Sequence, residues 1–365
     1  MVNINFLTAD RLFFCLSLRT MCSAIVLTRN SLFVATRTDT ASLNIANHLL
    51  EKHKWECLET KKNECMSIVS ASGNIVFLWL VNEPLLHLNR PNTLFLEDLT
   101  CADEHKEAEY GVNEVFFLSR HVASSGTLSL TVHPIGIPWL LDSTTSGGIP
   151  GKCSPPNRRI SSLFRSILGE TKFRNLENKY QVTLEATHHG PHVDLPTCFV
   201  EIGSSENEWS DADAGDILAD CLAKEFEFTH QQPPLEVDSN TNIVVISIGG
   251  GHYVPKMNDL AKLGPGIHIG HCLTTYALEA NLKGEVAEQL VPGGWKQIIS
   301  EAVHSTRISF PEGNFVCVVD KKAFVAKHCK MITEFLDNDL HIPWAHKVSD
   351  IKKQWESISM MKVLK

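Results

Sequence analysis

Apolar and polar residues alternate in blocks along this chain. The runs Ala24-Ile25-Val26-Leu27, Leu32-Phe33-Val34-Ala35, Ile75-Val76-Phe77-Leu78-Trp79-Leu80 and Val115-Phe116-Phe117-Leu118 are short, continuous and bounded by turn residues. That is the pattern of buried strands. Thr241 to Ile248 and Phe315 to Val319 repeat it further on. Between these runs the apolar residues recur at helical spacing. Asp39-Thr40-Ala41-Ser42 offers an N-cap before a face made of Ala46, Leu49 and Leu50. Ile217 to Phe226, Trp295 to Val303 and Ala323 to Phe335 read as later helices. The charged stretch from Asp98 to Glu109 reads as a surface loop. Strands alternating with helices predict an α/β fold, a single domain with a central mixed or largely parallel sheet covered by helices. There is no internal repeat and no low-complexity tract.

Composition narrows the class. A chain of 365 residues with 43% hydrophobic and 21% charged residues builds a sizeable globular core. The net charge of -9 argues against binding nucleic acid through global charge, so a polyanionic partner needs a local basic patch. The 11 cysteines stand singly with no CxxC pair, which fits free thiols in a reducing compartment. No apolar run approaches a membrane span, so no membrane partner is expected. Residues 1–23 read as an extension without the basic n-region of a targeting signal, and either Met1 or Met21 is a possible start. A cytoplasmic or nuclear enzyme is expected, with organelle import left open. The domain is expected over 24–340, followed by a basic tail, 341–365. A monomer is expected, because nothing suggests a coiled coil or an exposed apolar helix.

Candidate chemistry gathers where apolar runs end. Leu184-Glu185-Ala186-Thr187-His188-His189-Gly190-Pro191, Phe199-Val200-Glu201-Ile202-Gly203-Ser204-Ser205 and Ile248-Gly249-Gly250-Gly251-His252-Tyr253 each read as a strand entering a turn. The turns present His, Glu or Ser, and loops outside the carboxyl ends of strands form the ligand crevice of α/β enzymes. His121, beside Arg120, and His133, before Pro134 and Gly136, also end apolar segments. His133 reads as part of a loop rim. For Arg120 a phosphate contact and an internal salt bridge are equally open.

The ordered set Ser119-Arg120-His121, Leu130 to Gly136, His188-His189-Gly190-Pro191, Phe199 to Ser205, Gly249 to Pro255, Gly270-His271, Tyr276-Ala277-Leu278 and Ile332 to Leu336 resembles the D-aminoacyl-tRNA deacylases of archaeal and plant type. The resemblance covers roughly Ala24 to Leu340. It departs at the front end, where an extra segment precedes Asp39, and at Cys272 to Thr275. It implies a phosphorylase/hydrolase-like sheet and zinc-assisted removal of a D-amino acid from mischarged tRNA.

Such a reaction needs an activated water, a stabilised oxyanion and a grip on tRNA. His188, His189, His252 and His271 are the candidate zinc ligands, with Glu201 as ligand or general base. Catalysis is expected of His188, His189, Glu201 and His252. Yet no pair has HExxH spacing, and adjacent His188 and His189 converge only if the turn at Gly190 has already begun. A single one of these histidines reads equally well as a hydrogen-bonded core imidazole. Substrate contacts are expected from Arg120, His121, His133, Ser204, Ser205, Gly249, Gly250 and Gly251. Ser205 to Glu208 has capping-box spacing, so a helix beginning there would aim free N–H groups at the crevice.

The tRNA grip is expected from Gly151 to Tyr180. Seven cations, including Arg158, Arg159 and Lys172, stand there against Glu170 and Glu177, a local charge of +5. Ser161 reads as the helix cap, and the Gly- and Pro-rich stretch Thr144 to Pro156 as a linker that lets the segment move. The bland alternative is a solvated basic face. Two other function classes fit part of the pattern: a zinc hydrolase of small amides or esters, and an RNA-binding module without catalysis.

Overall fold

The computed structural model describes residues 29–100, 110–124, 126–140, 145–228, 242–282 and 294–353. The extension, the strand expected over Ala24 to Leu27, most of the charged stretch after Asp98 and the last residues of the basic tail lie outside the described residues.

Eight strands form the larger sheet: β1 (Asn30–Thr36), β2 (Glu56–Leu58), β3 (Glu64–Val69), β4 (Ile75–Val81), β5 (Val112–Val122), β6 (Ser129–His133), β7 (Gln181–Leu184) and β8 (Thr197–Ser204). Their order is β2-β3-β4-β1-β5-β8-β6-β7. The central run β4, β1, β5 and β8 is parallel, and β6 meets β8 antiparallel before pairing parallel with β7. Helix α1 (Thr40–Lys52) follows β1, α2 (Pro91–Asp98) follows β4, and α3 (Ile160–Phe173) joins β6 to β7. After β8 come the single turn α4 (Glu206–Trp209) and α5 (Ala212–Glu225).

The continuous apolar runs are explained by burial on both faces. Along β1, Phe33 and Ala35 enter the core under α1, α3 and α5, while Leu32 and Val34 enter a second core with Phe77, Trp79 and Phe95. A strand covered on one side only would alternate apolar with polar residues. Asp39 caps α1 as its spacing suggests, its carboxylate accepting from the Ser42 N–H at 3.1 Å. Ser161, by contrast, is not the cap of α3. It lies inside the helix, and its hydroxyl accepts from the Ile269 N–H at 3.0 Å.

A second sheet departs from the single one expected. Strands β9 (Ile243–Ile248), β10 (Ile267–Leu273), β11 (Asn314–Val319) and β12 (Trp344–Ala345) are all parallel, in the order β10-β9-β11-β12. They are accompanied by α6 (Pro255–Ala261), α7 (Thr275–Leu282), α8 (Gly294–Ser309) and α9 (Ala326–Phe335). Helix α3 touches both sheets. The chain leaving β7 fastens them together: Ala186 N–H donates to His252 O at 2.8 Å and Thr187 N–H to Cys272 O at 2.9 Å. Residues after β7 and residues after β9 therefore meet at one seam. Among the described residues no helix is long and apolar enough to cross a membrane.

Candidate active site

Five histidines and two glutamates converge at that seam. His121 comes from the end of β5, His133 from the end of β6, His188 and His189 from the turn after β7, and His252 from the loop after β9. The rings of His133 and His188 lie 4.2 Å apart, those of His188 and His189 4.2 Å, and those of His188 and His252 4.7 Å. Two adjacent histidines share this space because His188 still bridges alongside Ile135, whereas His189 has φ 40. That left-handed step ends the strand's alternation and swings the second ring back toward the first. Gly203 makes room for His121: a Cβ there would lie 2.8 Å from the His121 Cδ2.

The hydrogen bonds fix tautomers. His133 Nδ1 lies 3.0 Å from Pro134 O, His188 Nδ1 2.8 Å from Ala186 O, and His189 Nδ1 2.9 Å from Gly190 O. A carbonyl only accepts, so each Nδ1 carries the proton and each Nε2 keeps a lone pair. Those three histidines offer ring atoms within 4.8 Å of one another, as does the neighbouring set His121, Glu185 and His252. His133 Nε2 and both Glu185 oxygens are buried without a hydrogen-bond partner. His121 Nδ1 is 3.1 Å from one Glu185 oxygen and His252 Nε2 3.2 Å from the other, close enough for charge attraction but misaligned for hydrogen bonds.

Burial sets the protonation states. It pushes His133 down to about 3, His189 to about 4 and His188 well below the ordinary imidazole value. All three are therefore neutral near pH 7. Burial alone would raise the Glu185 carboxyl, but the imidazole of His252 beside it outweighs that and holds it low. Glu201 goes the other way. Burial, and then the charge of Glu185, push it well above the carboxylate range. The two carboxyls are thus shifted in opposite directions, which bears against Glu201 as a base in the resting site. Glu201 also sits inside β8, opposite Ser119 of β5 and Thr131 of β6, rather than at a strand end.

These groups face a cleft of about 410 Å³. His121, His188, His189, His252 and Glu201 line one side, and Pro84, Leu85 and Leu86 bring apolar surface to it. Arg120 and Asp39 also line it. Arg120 lies 4.9 Å over the Trp209 ring and only loosely against Asp39, at 4.0 Å, with 45% of its side chain exposed.

Several expected site residues lie elsewhere. His271 does not join the cluster. It is wholly buried in β10, its Nδ1 3.0 Å from the Thr187 hydroxyl, where it helps fasten the seam. His133 is no loop rim, since none of its surface is exposed. Ser204 donates its hydroxyl to Thr127 O at 2.6 Å, and Ser205 closes the capping box with Glu208. The helix behind that box is one turn long, too short to aim a useful dipole. Gly249 and Gly250 have φ 93 and 103, and a Cβ on Gly249 would meet Phe324 at 2.5 Å. The triplet shapes the approach to His252 but does not line the cleft.

The basic segment is largely engaged. Arg159 is ion-paired with Glu114 and Glu225, each at 3.2 Å; Arg174 with Glu170, Asp216 and Asp220; Lys179 with Asp211 and Asp213; and Lys152 with Glu301. Of Arg158, Arg159 and Lys172, Arg158 holds Ser309 O and Lys172 is exposed. Apart from Glu170, the acids come from elements distant in sequence, so the local charge of +5 could not reveal them. The described part of the linker does not swing either. Gly190 N–H donates to Ser146 O at 2.7 Å, Ile137 N–H to Lys152 O at 2.8 Å, and Cys153 to Asn157 are buried.

Two residues escaped the sequence reading. Glu185 is completely buried at the centre of the histidines. Its signal was a charged residue wedged between Leu184 and Ala186, directly after the strand's last residue and three positions before His188. Tyr253 places its hydroxyl 3.0 Å from His121 Nε2. Nothing in its own neighbourhood distinguished it from a packing tyrosine.

Comparison with known proteins places this geometry. Residues 108–344 match the family model described as D-aminoacyl-tRNA deacylase. A D-aminoacyl-tRNA deacylase of Arabidopsis thaliana is 34% identical over 314 residues, covering 84% of this chain and 95% of the plant protein. One from Methanocaldococcus jannaschii is 29% identical over 269 residues, covering 71% of this chain and 84% of its own length. A crystal structure described as a conserved protein of unknown function superposes with a TM-score of 0.65 at 23% identity, covering 89% of this chain and 97% of that one. That last likeness concerns the fold alone.

Proposed function

The chain belongs to the D-aminoacyl-tRNA deacylase family, and from that membership we propose that it hydrolyses the ester joining a D-amino acid to the terminal ribose of tRNA, with zinc as its metal. The observation that carries the reading is the convergence of five imidazoles and two buried carboxylates beside one cleft. A module that only bound RNA would have no use for buried acceptors left without partners, which are costly to bury.

The donor set fits zinc. Three neutral imidazoles, each with Nδ1 tied to a carbonyl, are the ordinary preparation of a metal-ligating histidine. His133, His188 and His189 would hold the ion, and His121, Glu185 and His252 form an adjoining donor set. This assignment replaces His271 by His133 and moves His252 to the second group. Bound zinc supplies Lewis acidity and lowers the pKa of a water to about 7.

The chain's own groups do the rest. His252 is the imidazole backed by Glu185, a carboxylate that orients the ring and balances its charge when it takes a proton from water. Glu201, whose carboxyl burial pushes up at the cleft wall, would give a proton toward the departing ribose oxygen. Arg120, held loosely at the rim, is placed for a phosphate near the tRNA end. The cytidine and adenine rings of that end would find the apolar wall at Leu85 and Leu86.

The test is hydrolysis of matched D- and L-aminoacyl-tRNA, with and without a zinc chelator, beside metal analysis of the protein. Release of the D-amino acid that falls on chelation and returns with zinc is expected. Equal rates with and without bound metal would remove zinc, and no release would remove the reaction.

A further inference from the structure

The seam accounts for one group of unpartnered polar side chains, but a second group lies elsewhere. Arg158, in the turn before α3, and Arg165, inside the helix, stand on either side of Ser161, which fastens α3 to β10 through the Ile269 N–H. Beside Ile269 stands His268. Phe310 forms the floor: the Arg158 guanidinium lies 5.8 Å over its ring and the His268 ring 5.3 Å from it. From this arrangement we infer that Arg158, Arg165 and His268 form a second binding site, for a phosphate-type oxyanion.

Each arginine is held in place without being neutralised. Arg158 donates its Nε–H to Ser309 O at the end of α8, and Arg165 donates to Ala261 O at the end of α6, at 2.9 Å. Among the described residues neither forms an ion pair with a carboxylate. The acids close enough to act on them, Glu114 and Glu225, are both bound to Arg159. The ring nitrogens of His268 are buried, with the backbone of Arg158 beside the ring and no side-chain partner. Arg29 adds a further like charge toward Arg158. Cations gathered this way repel one another until an anion arrives.

The donor geometry favours phosphate over a lone carboxylate. A guanidinium carries five N–H donors in a fixed fork, and two forks with an imidazole offer more donors than two carboxylate oxygens can accept. The site is not part of the cleft. Glu114 near the start of β5 marks its edge of the sheet, and His121 near the end of the same strand marks the cleft. Seven residues of strand put them about 23 Å apart. A stacked nucleic-acid strand covers that in about seven nucleotide steps. A backbone phosphate of the same tRNA and a free phosphate are the two sources of this chemistry, and only the first rests on the reading of the cleft.

The full chain and the double variant Arg158→Gln/Arg165→Gln are titrated with inorganic phosphate against chloride at constant ionic strength, following thermal unfolding. Both are then titrated with unacylated tRNA across salt concentrations. A phosphate-dependent rise in the unfolding midpoint is expected for the native chain and lost in the variant. If tRNA supplies the phosphate, the log–log salt slope of tRNA binding also falls by about 0.7–0.9 for each lost contact. A lost phosphate response with an unchanged slope assigns a free oxyanion. No response in the native chain beyond chloride, together with an unchanged slope, overturns the site and leaves two arginines capping helix ends. Should the double variant not fold, the native titration decides, and His268→Gln supplies the comparison. Release of D-amino acid by the same native preparation tells a failed cleft from a failed anion site.

Discussion

The cleft and the basic helix invert one another. Beside the cleft, buried acceptors such as His133 Nε2 and both Glu185 oxygens go without hydrogen bonds. Along α3 and the turn after it, most of the charges are paired: Arg159 with two acids and Arg174 with three. Unpaired buried groups weaken a fold and are kept where chemistry uses them. Paired charges hold elements together and have little left for a ligand. Residue type alone would have ranked the basic helix as the binding surface. Its partners show that it mainly joins α3 to β5 and α5.

The largest expected effect falls in the cleft. His189→Ala or Glu185→Gln, in a folded protein, should slow D-aminoacyl-tRNA hydrolysis at least about 100-fold, the lower end of acid–base contributions. Single-turnover rates check this, and near-normal rates in both variants would break the contrast from the catalytic side. Arg159→Ala tests the other region. Breaking a buried pair costs about 3–5 kcal/mol, discounted here to about 2 kcal/mol because part of the side chain meets solvent. Urea unfolding should show that loss while the rate per folded molecule holds. Unchanged stability with weakened tRNA binding would restore Arg159 to the ligand surface.

A third prediction separates a structural histidine from the cleft. Burial holds His271 down to about 3, against 6.5 for a free imidazole. Between those values the unfolded chain binds a proton that the folded chain refuses, so stability rises with pH through this window and is lost as pH falls. At pH 5 the loss relative to pH 7 is about 2 kcal/mol for one such group. His271→Gln should remove about that much of the difference between denaturation at the two pH values. An unaltered pH dependence would mean that His271 is not the neutral buried group described. The smallest effect is expected for Lys172→Ala, since Lys172 is an exposed cation of the segment. It should lower the salt slope of tRNA binding by about 0.7–0.9 if it meets a phosphate. No change would complete the case that α3 is structural on that side.

Periodicity located most elements, because a strand covered on both faces and a helix covered on one leave unmistakable apolar spacing. β1, β4, β5 and β11 enclose the runs that announced them, and β9 takes in Ile243 to Ile248 of the run expected from Thr241. The division into two sheets was not legible, since a parallel strand has the same composition whichever sheet receives it. His188, His189 and His252 stood out by their place after apolar runs. His271 stood in the same kind of context and does something else, because Thr187 rather than the cleft faces it.

What the sequence determined, then, is local and chemical: the α/β alternation, the cap at Asp39, the histidine-bearing turns and the motifs of the family. What tertiary structure decided is who meets whom. Glu185 came to the centre of the site because chain from three other strands closed histidines around it, and burial, then the charge of Glu185, pushes the Glu201 carboxyl up. Arg159 became a strut because Glu114 and Glu225, 45 and 66 residues away, came to its side. The electrostatic energy of a charge is set by its neighbours within a few ångströms, and sequence order does not carry that distance.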